Sequence, residues 1–138
     1  MWSTARYGEP TMNLERVIFG FFILLALTLN VVFVMGEIDN VEHHSVWILT
    51  IAIIVNIVAT ALKLGDRTQV GALLLASSLV ADLLLIAARI VWVVAEEDAA
   101  MGPGAEAMVS VVSLAIGALV ANIASAAILI GDTLMSRR

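Results

Sequence analysis

Apolar residues fall in four long runs, Val17–Met35, Val46–Leu62, Val70–Ala95 and Met108–Ile130, of 19, 17, 26 and 23 residues. Polar and charged residues gather in the short stretches between them. About 20 apolar residues at ~1.5 Å rise each cover the ~30 Å hydrocarbon core of a bilayer, so each run predicts a membrane-spanning helix. The runs lack the strict alternation of barrel strands, and only helices and closed barrels satisfy their backbone groups in lipid. The pattern therefore predicts an all-α fold, a polytopic transmembrane four-helix bundle. Short connections make successive helices antiparallel neighbours, giving an up-down-up-down order.

Composition agrees. The 138 residues are 62% hydrophobic and 14% charged, against about 45–50% and about 25% in soluble domains. Residues 1–16 read as an N-terminal segment, 17–132 as one transmembrane domain and 133–138 as a tail. The first run is too long for the apolar core of a cleaved leader, about 7–15 residues, and leads into Gly36-Glu37-Ile38-Asp39, so it is expected to be retained. Met12 is a candidate internal start. Cysteine is absent, which removes disulfides, thiolate metal sites and Fe–S clusters from consideration.

The basic residues set the expected orientation. Arg6 and Arg16 precede the first run, Lys63 and Arg67 flank the second connection, and Arg137 and Arg138 end the chain. The 36–45 and 96–107 loops contain neither Lys nor Arg. The positive-inside rule puts both termini in the cytoplasm. The outer loops hold Glu37, Asp39, Glu42, Glu96, Glu97, Asp98 and Glu106, a candidate acidic rim that would attract cations. Trp47 and Trp92 are expected near the outer membrane boundary, where amphipathic rings settle. Gly65 is a candidate left-handed end for the second helix and Asp66 a candidate N-cap for the third.

A weak duplication is also visible. A shift of 66 places Asn56-Ile57 on Asn122-Ile123 and Gly65-Asp66 on Gly131-Asp132, with six of fifteen residues identical from 52 to 66. A shift of 59 aligns Glu37 with Glu96, Asp39 with Asp98, Asn30 with Arg89 and Ile23 with Asp82. Two tandem helical hairpins of one orientation would be related by an axis along the membrane normal.

Asp82 stands in the middle of the third run, and an ionised carboxylate there costs about 3 kcal/mol or more. It shares a heptad-spaced line with Thr68, Arg89 and Glu96, with Ser78 one turn before it. Arg89 is about 10.5 Å further along the axis, so a direct pair is at the limit of reach. The line reads either as a structural polar seam or as part of a path for ions or protons. The other runs each carry one amide. Counted from the run ends, Asn56 and Asn122 bracket the depth of Asp82, and Asn30 lies near that of Arg89. Interhelical hydrogen bonding is the plain reading of the amides, worth about 0.6 kcal/mol per contact. Ser113, Gly117, Ala121 and Ser125 form a ridge of small residues suited to close helix packing, within the bundle or between subunits. His43 and His44, beside Glu42, read as solvated loop residues rather than a metal site.

No P-loop, dinucleotide fingerprint, HExxH, GxSxG or potassium-filter sequence is present, so an enzyme is not expected, nor a cofactor or metal site.

Four stretches together resemble a small bacterial family of uncharacterised four-helix inner-membrane proteins: Met12–Phe21, the His43-His44 pair, Gly65–Gln69 and Ser77–Asp82. The similarity covers residues 12–138. It implies a multi-pass protein of the bacterial inner membrane and no particular activity. The expected function is passage of cations or protons across the membrane by an oligomeric, channel-like protein. Asp82, Arg89, Asn30, Asn56, Asn122 and Ser78 would line the pathway. The rival expectation is a non-conducting accessory or assembly subunit. Expected partners are the lipid bilayer, further copies of the chain and, for the rival reading, a larger membrane protein; no nucleic acid is expected.

Overall fold

The computed structural model describes residues 14–98 and 103–136, the side chains of Glu97, Asp98 and Ser136 excepted. The Met12 start and the rim positions Glu97 and Asp98, as side chains, lie outside what is described. Four helices follow in order: α1 (Leu14–Val34), α2 (Val46–Lys63), α3 (Gln69–Asp98) and α4 (Ala105–Ser136). A single 3-10 turn, Val41–His43, interrupts the α1–α2 loop. All four helices are long and apolar enough to cross a membrane, and the chain is a multi-pass membrane protein. The helices pack in a closed ring, α1 on α2, α2 on α3, α3 on α4 and α4 on α1, with the α3–α4 contact the most extensive.

The helices are longer than the apolar runs. α4 spans 32 residues and α3 spans 30, whereas α1 and α2 span 21 and 18. Apolarity marks what lipid covers, while backbone hydrogen bonding continues through residues such as Glu106 and Asp132 that face water. The α3–α4 hairpin therefore extends past α1 and α2 at the end remote from the termini. Phe33, Trp92 and Met108 are buried in one core cluster there, and Val41 of the α1–α2 loop packs on it. Trp92 is only 4% exposed and its indole nitrogen donates to Glu96 at 3.1 Å. It is thus a core residue and not the interfacial ring the sequence predicts, while Trp47 is 74% exposed.

Small side chains fill much of the interior: Ala26, Ala52, Ala59, Ala81, Ala88, Ala115 and Ala118 are all buried. Large ones such as Phe21, Ile54, Leu83 and Val120 point outward. Lipid solvates apolar side chains as well as a core does, so the ring is held by close backbone approach and internal hydrogen bonds. Gly117 leaves room for a side chain of α3. A Cβ there would stand 3.1 Å from Leu84 Cδ1. Ala121 and Ser125 continue the seam and are buried, but Ser113, the fourth small residue, is exposed. Each four-residue step turns about 40° past a full revolution, and by Ser113 the ridge has left the contact.

The loops are built from side-chain anchors. Gly36 follows α1 with φ of 99°, a left-handed conformation that suits glycine, and His43 folds over it. His44 departs from its expected solvated position. It is 3% exposed, with Nδ1 2.6 Å from Phe33 O and Nε2 2.8 Å from Glu37 O. Carbonyls only accept, so both bonds form together when each ring nitrogen carries a proton. Phe33 O is one of the unpaired carbonyls at the C-terminus of α1, where a donor or cation is favoured. Gly65 is also not left-handed; among the described residues only Gly36 has positive φ. α2 ends instead in a tight turn at Leu64 (φ −61°, ψ 52°), with Gly65 N donating to Lys63 O, the geometry of an inverse γ-turn.

Gly117→Val drives a branched side chain into Leu84 and is expected to destabilise the bundle by about 1–3 kcal/mol, read as a lower thermal unfolding midpoint in detergent. His44→Ala removes the ring that reaches the Phe33 and Glu37 carbonyls. A loss of about 1–3 kcal/mol is expected in the same assay; an unchanged midpoint contradicts the anchoring role.

Candidate functional site: a buried polar layer

Asp82 lies near the middle of α3, and its side chain turns inward toward α2. It is 7% exposed. Its Oδ2 accepts from the Thr60 hydroxyl at 2.6 Å, and the same hydroxyl stands 2.9 Å from Asn56 O within α2. Thr60 has one hydroxyl proton and faces two acceptors. Among the described residues, Asp82 Oδ1 has no hydrogen-bond partner, and neither does Ser78 Oγ one turn earlier, 1% exposed. A buried polar atom left without a partner costs about 1–3 kcal/mol, so two on one face mark a site that packing alone does not explain.

The register between α3 and α4 follows from two contacts. Ser77 and Ser125 share a hydroxyl hydrogen bond of 2.5 Å, and Gly117 faces Leu84. This antiparallel register sets Asp82 level with residues 119–120. Asn30 of α1 reaches that same turn. With its amide oriented to match its neighbours' donors and acceptors, the Asn30 nitrogen donates to Ala115 O at 3.0 Å, and its oxygen accepts from Leu119 N and Asn122 Nδ2, both at 3.1 Å. Asn30 thus meets Asn122 in the layer of Asp82, where Asn122 is expected, and not at the depth of Arg89 where counting from run ends puts Asn30. The count fails because α4 begins well beyond the end of α1. Asn30 engages a carbonyl and an amide one helical turn apart and so clamps α1 to α4. Asn56 turns its amide nitrogen to Ala52 O of its own helix, 2.8 Å away, and meets the carboxyl only through Thr60.

The structure brings together Asp82, Ser78, Thr60 and, on the opposite side of the ring, Asn30 and Asn122. It does not bring Arg89 to Asp82. The Arg89 Nε donates to Thr50 of α2 at 3.3 Å, and its Nη1 is buried without a partner among the described residues. The ion pairs seen among the described residues are Arg16–Asp132 at 2.7 Å and Lys63–Asp66 at 3.4 Å, both at the end carrying the termini. Under the duplication Arg89 corresponds to Asn30, and the two behave alike. Asn30 crosses to α4 at Ala115, and Arg89 crosses to α2 at Thr50, beside Leu49, the position matching Ala115. Thr60, the direct partner of Asp82 among the described residues, is in the sequence merely one of several hydroxyls. Its signal was its position in α2, four residues after Asn56.

At the other end of the ring, Glu37, Asp39, Glu42, Glu96 and Glu106 are exposed. At the end carrying the termini, a cavity of about 240 Å³ lies between the helices, with Lys63, Asp66 and Asp132 among its polar walls and Phe19 and Leu74 among its apolar ones. Leu74 precedes Ser78 by four residues, as Ser78 precedes Asp82, so the three succeed one another on one face of α3. The start of α3 beside this cavity is firmly built. Thr68, rather than Asp66, caps the helix, its hydroxyl accepting from Gly71 N at 2.9 Å. Asp66 in turn accepts from Thr68 N and Oγ1 at 2.9 and 2.7 Å. Those two bonds, with a smaller contribution from Lys63, hold the Asp66 carboxyl below the usual carboxylate range against a modest desolvation.

Residues 43–133 match the model of a family of unknown function, DUF6394, and the chain belongs to that family. Comparison with curated proteins found no match, and comparison with solved structures found none. The match contains the whole of α2, α3 and the polar layer apart from Asn30.

Because the Asp66 carboxyl is depressed in the folded chain, its ionised form stabilises the fold fully above the ordinary carboxylate range. That contribution is lost as pH falls through the depressed value. Asp66→Asn keeps an acceptor for Thr68 but removes the titration, together with the ion pair to Lys63. Its thermal midpoint in detergent is expected to fall less steeply in acid than that of the wild type; parallel curves contradict this.

Proposed function

We propose that the protein passes protons across its membrane, with Asp82 as the group that takes up and releases each proton. The observation that carries this reading is the proton count around Thr60. One hydroxyl proton faces both Asp82 Oδ2 and Asn56 O. Both contacts are hydrogen bonds at once only when the carboxyl supplies a proton of its own, donating to Thr60 while Thr60 donates to Asn56 O. With the carboxyl ionised, Thr60 serves one acceptor and the other goes unserved. Two protonation states thus correspond to two hydrogen-bond patterns of one set of atoms, and the change between them needs no movement of a helix.

The surroundings favour protons over hydrated cations. Ser78, Asn30 and Asn122 are at most 1% exposed and close-packed, and a proton moves by exchange along hydroxyl and carboxyl groups where an ion would need a pore. From the 240 Å³ cavity the order along α3 is Leu74, Ser78, Asp82. Leu74 belongs to a buried apolar cluster with Phe19, Ile23, Ala59 and Ala126, which forms the barrier on that side. Ser78 Oγ and Asp82 Oδ1 are not hydrogen-bonded to each other, so Ser78 relays a proton to the carboxyl only when a side-chain rotation or an entering water joins the two oxygens. Arg89 lies beyond the layer toward the opposite end, and its charge disfavours a cation passing intact. By the positive-inside rule the cavity faces the cytoplasm and both termini lie there. Each chain encloses its own layer, so copies assembled side by side would conduct independently.

Purified protein in liposomes with an internal pH indicator and an imposed membrane potential tests this. The wild type is expected to pass protons faster than empty vesicles, in proportion to protein per vesicle. Asp82→Asn is expected to abolish the difference and Ser78→Ala to slow it. Wild-type flux equal to that of empty vesicles, or unaltered in Asp82→Asn, overturns the proposal in favour of a non-conducting subunit. A flux rising more steeply than the protein content overturns passage through the single chain.

A further inference from the structure

A second and larger cavity, about 530 Å³, opens where α1, the end of α2 and the α2–α3 turn meet. Its chemistry differs from that of the polar layer. Lys63 and Arg67 bring two cations, Glu15 and Asp66 two carboxylates, and Ile18 and Leu62 an apolar flank. The volume lies in the range of small-molecule sites, about 300–1,000 Å³. It sits just past the apolar run of α2, at the depth where a bilayer changes from acyl chains to headgroups.

The charges are not equally engaged. Asp66 is committed to Thr68 and to Lys63. The Lys63 ammonium lies 3.4 Å from Asp66 Oδ2 and 4.4 Å from the centre of the Phe19 ring, and it retains donor capacity beyond these. Arg67 is exposed, and among the described residues it has no hydrogen bond or ion pair. Such a guanidinium and a lysine lining one cavity are chemistry suited to a phosphate. The carboxylates make the lining neutral in sum, which disfavours a simple anion and equally a simple cation. A ligand carrying both charges matches it.

We propose that this cavity seats a phosphoethanolamine headgroup of a membrane phospholipid. Arg67 and Lys63 hold the phosphodiester, and Glu15 accepts from the ammonium. A carboxylate has about four acceptor positions, so Glu15 serves the ammonium beside any other partner. Ile18 and Leu62 flank the glycerol as the acyl chains leave along the outside of α1 and α2. The cavity shares Glu15, Lys63 and Asp66 with the smaller one, but the inference does not rest on proton passage.

Native mass spectrometry tests it on the full chain, released from micelles holding equimolar phosphatidylethanolamine, phosphatidylglycerol and phosphatidylcholine. Phosphatidylglycerol has the phosphodiester without an ammonium, and phosphatidylcholine has a quaternary nitrogen without N–H donors. Retention of phosphatidylethanolamine about tenfold above both is expected, the worth of one charge-assisted hydrogen bond. Arg67→Ala, an exposed change that leaves the packing intact, is expected to lower that retention by about tenfold. Glu15→Gln is expected to erase the preference over phosphatidylglycerol while binding persists. Equal retention of the three lipids, or a preference for phosphatidylglycerol, overturns the proposal, as does an Arg67→Ala variant that binds normally. Displacement of the lipid by an equal concentration of soluble glycerophosphoethanolamine overturns the assignment to a membrane lipid.

Discussion

Inside a bilayer every polar group must find its partner within the protein, and the fold is arranged around that constraint. Apolar faces contribute little preference for one helix neighbour over another, because lipid accommodates them equally well. The polar side chains and the small residues beside them decide the arrangement. Asn30 engages a carbonyl and an amide on one turn of α4, and also Asn122. Ser77 meets Ser125 across the α3–α4 seam, and Thr60 joins α2 to α3 at Asp82. The Asn30 and Thr60 contacts lie near one layer and the Ser77–Ser125 contact more than a helical turn from it, with buried alanines between that let the helices come close enough to make them.

Against that accounting Ser78 and Asp82 stand apart. Every amide in the layer has a partner, yet Ser78 Oγ and one carboxyl oxygen have none among the described residues. They occupy one face of α3, in line with a cavity whose walls are charged. A purely structural seam has no use for such a pair, since replacing both with apolar side chains of similar size is commonly neutral or stabilising. Proton exchange gives the pair a role that packing does not. Arg89, the other charge inside the bundle, is held toward Thr50 and serves a different contact.

The four-helix architecture was legible because run length and continuity respond to a single physical demand, the thickness of the hydrocarbon core. The polar layer was legible in part. Asp82 and Ser78 stood out by their intrusion into an apolar run, and one amide per remaining helix pointed to a shared level. Their pairing was not legible, because depth was counted from run ends while the actual register depends on where each helix begins. α4 starts at Ala105, well beyond the level at which α1 ends, and this alone moves Asn30 from the level of Arg89 to that of Asp82. Trp92 and His44 depart from expectation for a related reason. Both lie near the membrane boundary in sequence, but the longer α3–α4 hairpin supplies protein surface there, and the loop closes over it. Which hydroxyl would meet Asp82 depended on the α2–α3 register, about which the local sequence around Thr60 is silent.

The central claim is that Asp82 exchanges a proton within the bundle interior. Infrared difference spectra of the wild type and Asp82→Asn, recorded over a pH series in water and in deuterium oxide, test it most directly. The account predicts a carboxylic-acid carbonyl band that changes with pH, shifts in deuterium oxide and is missing from Asp82→Asn. An Asp82 signal that stays in one protonation state across the series, or a band that no exchange with deuterium reaches, would contradict it.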